Sequence, residues 1–289
     1  MKKIIIILVV LAVLAGSGYY VFILWPQSYE KSVLNLQKEL ESSGGNQSRT
    51  VLSGRYDFEN AIKMLGEQKE FFKGMQEKIL KFNAPLWGED KQIQEDLVAL
   101  SNVFVTHLAE NQKQLLWARD AYELFEILNP ESSTLHPEAF PRNVPKLGQA
   151  TPATVGVFND LWSKRMSSAK PLAESLFKEK PPLTEEAKFA ELKSLWEEGF
   201  KVFAAILEYA STQNRNMSVG TFESLVKKQV SEVAKADKLD KFLSLLESTV
   251  IQNSAENIVH ANPATNEDFN KRSVRLNGAM QGLKQKYGK

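Results

Sequence analysis

Two polar side chains interrupt the apolar stripe of the longest helix that the sequence predicts. His107 and Asn111 are four residues apart, between Phe104 and Leu115, so they share one face of that helix. Polar residues in the core of a helical bundle can bind a ligand or fix the register of the helices. The pair is therefore a candidate ligand site, and the alternative is a solvent-facing or simply hydrogen-bonded pair.

Glu256 and His260 form a second pair with helical spacing that could share a metal ion. Di-iron bundle proteins use Glu-x-x-His, spaced by three and repeated on another helix, and this sequence has neither feature. The chain has no cysteine and only 3 histidines, and it lacks the zincin, P-loop, dinucleotide-binding and Gly-x-Ser-x-Gly motifs. We therefore predict no catalytic residue, no metal site and no cofactor.

Apolar residues outside the predicted helices are the candidate contacts for a protein partner. Trp87 lies in a Pro-Leu-Trp-Gly turn, and Leu135 and Phe140 lie in residues 129–152, which contain five prolines. A segment this long without regular structure is typically functional or an ordered crossover connection between helices. The alternative for Trp87 is a plug that covers the end of the bundle.

An uncharged segment near the N-terminus predicts a membrane anchor. Residues 4–24 are 21 residues without a charge, and about 31 Å of helix matches the ~30 Å hydrocarbon core of a bilayer. Lys2 and Lys3 precede it, so the positive-inside rule places the N-terminus in the cytoplasm and the bulk of the chain in the periplasm or at the cell surface. The aromatic residues expected in the head-group layer are Tyr19, Tyr20, Trp25 and Tyr29.

A cleaved signal peptide is the alternative to this anchor. Val13 and Ala15 fit a small-residue cleavage site after a short apolar stretch, and cleavage near Ala15 would give a secreted protein. The mature chain would then start with an apolar segment, which favours the uncleaved anchor. Within the anchor, Ala12 and Gly16 form a small-xxx-small pair that permits a homodimer seam, and chance occurrence is the alternative.

The composition excludes several classes of protein. With 36 basic and 35 acidic side chains, the net charge is +1, so the chain lacks the basic surface of a dedicated nucleic-acid binder and we predict no nucleic-acid partner. A hydrophobic content of 43% suffices for a packed core. Because there is no cysteine, an exported domain must hold together by packing alone.

Beyond the anchor, the apolar periodicity is helical and predicts an all-α fold. No segment shows convincing strand alternation. We expect Asp57 to cap a helix that reaches Phe82, a helix of about 40 residues from Glu89 to Leu128, a helix bent or broken at Pro171, and an N-cap at Thr184. The apolar stripes need partners, which predicts one helical bundle, or two stacked bundles, behind a single transmembrane helix.

The same patterns predict a domain organisation and a function. We expect an anchor at 1–26, a stalk helix and flexible linker at 27–56, and an extracytoplasmic helical domain at 57–289 whose halves divide near 129–152. The predicted function is a membrane-anchored, non-enzymatic scaffold or interaction protein of the cell envelope, with the bilayer and an unknown envelope protein as partners. The alternative is an exported helical bundle that binds a small ligand through His107 and Asn111.

Overall fold

The computed structural model describes residues 19–44, 52–54, 56–82, 84–85, 88–128, 152–212, 238–264 and 266–287. Every regular element in these ranges is helical, which confirms the predicted all-α class. After a π-helical turn at Tyr20–Leu24, the helices are α1 (Trp25–Gly44), α2 (Phe58–Lys81), α3 (Gly88–Leu128), α4 (Pro152–Leu176), α5 (Glu186–Thr212), α6 (Lys238–Gln252), α7 (Ala255–Val259) and α8 (Glu267–Tyr287).

The chain divides into two compact units, and the divisions differ from the predicted domains. Unit two contains residues 52–62 and 110–260, and unit one contains the remainder. The helix expected to be a stalk belongs to unit one, and the expected division near 129–152 falls almost entirely on residues outside those described. Local periodicity shows that a helix has an apolar face, but it does not show which other helix covers that face.

The core of unit one is built from the apolar faces of α1, α2, α3 and α8. Val33 of α1 is fully buried, so this helix packs as an integral part of the unit and not as a stalk. The other buried members of the core are Tyr29, Leu34, Leu36, Met75, Ile79, Ile93, Leu97, Met280 and Leu283.

Unit two has a core rich in aromatic rings. Phe177 follows α4 and lies 6.1 Å from Phe189 of α5 and 6.3 Å from Phe242 of α6, between ring centroids. The Trp196 ring is 5.7 Å from that of Phe242. Aromatic pairs prefer such edge and tilted geometries. The contacts join the end of α4 to α5 and α6.

Two of the predicted helix signals behave differently in the structure. Helix α4 continues through Pro171 to Leu176. Pro171 and Ser167 are both exposed, so water can bond the Ser167 carbonyl group that the proline leaves without its helical donor. Thr184 lies ahead of the first residue of α5, and its buried hydroxyl accepts a hydrogen bond from Gln114 in α3.

The predicted anchor falls mainly outside the described residues, which begin at Tyr19. Ala12, Ala15 and Gly16 lie outside them. Within the described ranges, no helix combines the length and the apolar character needed to cross a bilayer. Pro26 does not end the helix, since the π-helical turn leads directly into the α-helix that begins at Trp25.

Candidate functional site

A cavity of about 730 Å³ opens in unit one beside the start of α1, the start of α3 and one face of α8. Its volume lies within the range of roughly 300–1,000 Å³ that is usual for small-molecule sites. The lining is part apolar and part charged, with carboxylates and basic groups together. The lining residues are Pro26, Glu30, Pro85, Gly88, Glu89, Asp90, Gln92, Ile93, Asp96, Val274, Arg275, Leu276, Gly278, Ala279, Gly282, Leu283 and Lys286.

Small residues on α8 make room for this cavity. Gly278, Ala279 and Gly282 follow helical spacing, so they occupy one face of the helix. A Cβ atom added to either glycine would meet no other atom within 4 Å. The space over this face is therefore open, and larger side chains at these positions would fill it.

Asp96 forms the most buried charged part of the wall, with a side chain that is 2% exposed. Its Oδ2 accepts a hydrogen bond from Arg275 Nε at 2.9 Å. Its Oδ1 accepts hydrogen bonds from Arg275 Nη2 at 2.8 Å, from Arg272 Nη1 at 3.1 Å and from Gln92 Nε2 at 3.2 Å. The hydrogen bonds to Asp96 raise the pKa of Arg275. The bonds from Arg272 and Arg275 to Asp96 hold α8 against α3.

A second buried carboxylate joins α1 to the end of α8. Glu30 accepts hydrogen bonds from Lys286 Nζ at 2.9 Å and 2.7 Å, one on each oxygen, and another from the Tyr287 hydroxyl. The bond to Glu30 raises the pKa of Lys286. Removal of water from the hydroxyl and its bond to Glu30 raise the pKa of Tyr287. One carboxylate thus satisfies two neighbouring donors at the mouth of the cavity.

Asp90 differs from the other two carboxylates, because it forms no salt bridge with any described side chain. It is half-buried in the first turn of α3. Partial burial raises its pKa to about 6, and the negative charges of Glu30 and Glu89 add to that effect while Lys286 opposes it. A cation that approaches such a partly buried carboxylate stabilises its ionised form.

The predicted polar pair lies away from the cavity lining. His107 Nε2 is 3.0 Å from the carbonyl oxygen of Ala261 within unit one, and because a carbonyl only accepts, the ring nitrogen is the donor. Asn111 is 1% exposed and its Nδ2 donates to the Ile258 carbonyl oxygen at 3.3 Å within unit two. Both bonds tie α3 to backbone near α7, which fits the hydrogen-bonded alternative, and ligand binding by this pair stays a prediction.

The predicted partner contacts lie outside the described residues, and the predicted membrane-interface residues differ in exposure. Trp87, Leu135 and Phe140 lie outside the described residues. Tyr19 and Tyr20 are 54% and 56% exposed, and Trp25 is partly exposed, whereas Tyr29 is 3% exposed in the core of unit one. We therefore correct the membrane-interface prediction for Tyr29. Its hydroxyl donates to Gln94 Oε1 at 3.3 Å, its ring lies edge-on to Phe82, and burial raises its pKa.

The charged residues that shape the cavity were not among the predicted site residues. Asp96 sits in the apolar stripe of α3 between Ile93, Leu97 and Leu100, and a charge at a core position was a usable signal. Asp90 and Glu30 gave no such signal, because their burial depends on α8, which is far away in the sequence. Among the residues that the structure describes, no group of three or more His, Asp or Glu side chains could hold a metal ion.

Comparison with known proteins adds no family to this geometry. The chain matches none of the protein-family models, curated proteins or solved structures with which it was compared.

Proposed function

We propose that this chain is a membrane-anchored binding protein of the cell envelope, which holds a small ligand in the charged cavity of unit one and carries out no reaction. The observation that carries the proposal is the cavity of about 730 Å³, whose lining combines apolar residues and the half-buried Asp90 with both acidic and basic neighbours of that carboxyl group. This position differs from the ligand site expected at His107 and Asn111.

The uncharged segment 4–24 supports the anchor part of the proposal. The described end of this segment is exposed and apolar, with Phe22, Ile23 and Leu24 exposed by 70%, 41% and 42%. A run of large apolar side chains facing solvent marks a surface that lipid or another protein covers. Lys2 and Lys3 favour an orientation in which both helical units lie outside the cytoplasm.

The state of the ionisable groups supports binding over catalysis. Asp96 and Glu30 are held by arginine or lysine donors, so both are committed to structure. Among the described residues that line the cavity, this leaves Asp90 as the one half-buried acid, and general acid–base catalysis usually pairs two groups with different pKa values. The scaffold interpretation stays a prediction as well, because its contact residues Trp87, Leu135 and Phe140 lie outside the described residues.

The anchor is tested by washing membranes from cells that produce the full chain with sodium carbonate. We expect the full-length protein to stay in the membrane pellet, and protease added from the non-cytoplasmic side to degrade both helical units. Release into the carbonate wash, or a mature chain lacking residues up to Ala15, would contradict the anchor.

The ligand site is tested by native mass spectrometry of the full chain extracted in a mild detergent. We expect a bound small molecule on the wild type, and loss of that mass in Gly282→Leu, where leucine fills the cavity. Gly74→Leu is the matched control: Gly74 is also a helical glycine of unit one with open space over its Cβ position, but it does not line the cavity. Absence of any bound mass on the wild type, or equal retention in both variants, would refute the site.

A further inference from the structure

We infer that the cavity of unit one holds a phospholipid head group with an ammonium and a phosphodiester, of the phosphoethanolamine type, with the ammonium at Asp90 and the phosphodiester at Arg275. The inference rests on the proposed anchor and assigns the chemical class of the ligand. Three features support it, namely the position of the cavity relative to the proposed anchor, the charges of its lining and its apolar walls.

The cavity lies at the height of the head groups if the proposed anchor spans the bilayer. Pro26 and Glu30 line the cavity, and the helix runs without a break from Tyr20 through Glu30. At about 1.5 Å per residue, Pro26 is about 3 Å and Glu30 about 9 Å beyond Leu24, the last residue of the uncharged segment. The polar layer on each side of a bilayer is roughly 5–8 Å thick, so the mouth opens where head groups are found.

The charges in the cavity complement both groups of such a lipid. Asp90 offers a partly dehydrated carboxylate without a salt bridge among the described residues, which a primary ammonium can neutralise through its N–H donors. Arg275 is 51% exposed and gives two of its five N–H groups to Asp96, so other donors remain for phosphate oxygens. A zwitterionic head group can engage both Asp90 and Arg275, whereas a ligand with only one of these charges would engage only one of them.

The remaining walls suit the glycerol and the first carbons of the acyl chains. Ile93, Leu276 and Leu283 line the cavity together with the small face of α8. Val274 lies at the same opening and is 72% exposed, which is a large exposed fraction for an apolar side chain. Apolar surface beside a charged pocket fits an amphipathic ligand better than a fully polar one.

The experiment uses the full chain in detergent and measures lipid adducts by native mass spectrometry after addition of one defined lipid at a time. The lipids are phosphatidylethanolamine, phosphatidylcholine and phosphatidylglycerol with identical acyl chains. We expect phosphatidylethanolamine to bind on the order of tenfold more tightly than the other two, because choline offers no N–H donor and glycerol has no cation, and one charged hydrogen bond is worth about a factor of ten. Equal binding of the three lipids would overturn the inference.

Two variants locate the site. Asp90→Asn keeps the shape of the side chain but removes its charge, so it should abolish the preference for phosphatidylethanolamine while some binding remains. Glu95→Gln removes an exposed carboxylate of the same helix that does not line the cavity, and it should keep the preference. Gly282→Leu should lose the adduct, and Gly74→Leu should retain it. Circular dichroism verifies that each variant is folded, and a folded Asp90→Asn protein with an unchanged preference would overturn the assignment.

Soluble probes distinguish a lipid from a free small molecule that carries the same groups. O-phosphoethanolamine and inorganic phosphate are added to the full chain, and thermal unfolding is recorded. We expect no shift at concentrations at which the lipid raises the unfolding temperature, since these probes lack the apolar part. An equal shift with O-phosphoethanolamine would overturn the lipid source. Release by carbonate would contradict the proposed anchor, whereas retention together with equal lipid binding would refute only the head-group assignment.

Discussion

Asp96 and Arg275 form a two-bond ion pair that joins α3 to α8 across 179 positions of sequence. The carboxylate is 2% exposed, whereas the guanidinium is 51% exposed. The cost of dehydration therefore falls mainly on Asp96, and its arginine partners offset that cost. The pair fixes α8 against α3, and with it the cavity that the two helices line.

Replacement of Asp96 by alanine should lower the free energy of unfolding by about 2 kcal/mol. This is less than the 3–5 kcal/mol typical when one partner of a fully buried pair is removed, because both arginines can regain water. Arg275→Lys should also destabilise, since a lysine ammonium lacks the planar fork of donors with which arginine pairs its Nε and Nη2 with the two carboxylate oxygens. Urea unfolding of the purified chain, followed by circular dichroism, measures both.

Asp268→Ala is the matched control for Asp96. Asp268 also binds Arg272, at 2.7 Å, but its side chain is 68% exposed. Exposed pairs contribute roughly 0–1 kcal/mol, so this variant should unfold almost as the wild type does. Equal losses for the Asp96 and Asp268 variants would show that burial of the carboxylate is unimportant.

Gln114→Leu should destabilise unit two by about 2–3 kcal/mol. Gln114 is fully buried, its Nε2 donates to Thr184 Oγ1 at 3.0 Å, and its Oε1 accepts from the Leu183 backbone N–H at 3.0 Å. Leucine matches the side-chain size but leaves two groups of the turn before α5 without their partner. Thermal unfolding of wild type, Gln114→Leu and Gln112→Leu decides this, because residue 112 is less buried on the same helix. Equal unfolding temperatures for all three would contradict it.

Loss of the Asp57 side chain should lower the free energy of unfolding by about 1 kcal/mol, because this residue caps the N-terminus of α2. Its Oδ2 accepts from the Ser53 backbone N–H at 2.7 Å and from Asn60 Nδ2 at 3.0 Å. The hydrogen bonds with Asn60 and Ser53 lower the pKa of Asp57, so this stabilisation is complete above the unfolded pKa of about 3.9 and is lost as the pH falls through the folded pKa. Asp57→Ala should therefore unfold more easily than wild type near pH 7, and the difference should shrink in acid.

Asp57→Asn separates the cap from the charge. Asparagine keeps an acceptor oxygen and is a good N-cap residue, so it should retain most of the stability while losing the pH dependence. An alanine variant whose deficit is the same at neutral and acid pH would contradict a role for the ionised carboxylate.

Helix positions were predictable from local signals, whereas helix partners were not. The Asp57 cap predicted the start of α2, and the proline and glycine of residues 83–88 together with Asn129-Pro130 predicted the extent of α3. These signals act over a few residues, through capping and the geometry of proline. The inclusion of α1 in unit one depends on α8, about 250 residues later in the chain, which no local pattern encodes.

The residues of the cavity were also difficult to predict from local sequence signals. From the sequence, Asp90 is an ordinary acidic residue in the first turn of a helix, where its negative charge interacts favourably with the helix dipole. Its raised pKa follows first from burial within unit one and then from the negative charge of Glu30 of α1. Only Asp96 carried a local clue, as a charge at an apolar position of the α3 stripe.

Gly278→Ala and Gly282→Ala should each raise the free energy of unfolding by about 0.5–1 kcal/mol. Alanine restricts the unfolded chain and favours the helix, and the added methyl group meets no atom within 4 Å at either position. Gly88→Ala should have the opposite sign, because Gly88 has a φ of 74° that costs an L-residue about 1–2 kcal/mol. Urea midpoints compare the three variants, and a loss of stability at both α8 positions would show that the face is not open.

Asp90→Asn should stabilise the protein at neutral pH and leave it unchanged in acid. The folded pKa of Asp90 is about 6, against about 3.9 in the unfolded chain. Between these values the folded state binds more protons than the unfolded state, so the wild type loses stability as the pH rises from about 4 to about 6 and does not regain it above. Two pK units correspond to about 3 kcal/mol, and the partial exposure of Asp90 reduces the expected gain to about 1 kcal/mol.

Urea unfolding of the wild type, Asp90→Asn and Glu95→Gln at a series of pH values between about 4 and 8 measures this effect. Glu95→Gln serves as the control because it removes an exposed carboxylate of the same helix whose charge is not among those that shift the pKa of Asp90. The difference between the two variants should grow through the titration of Asp90 and then remain constant. A difference that is independent of pH would mean that the Asp90 carboxylate is as well solvated in the folded protein as in the unfolded chain.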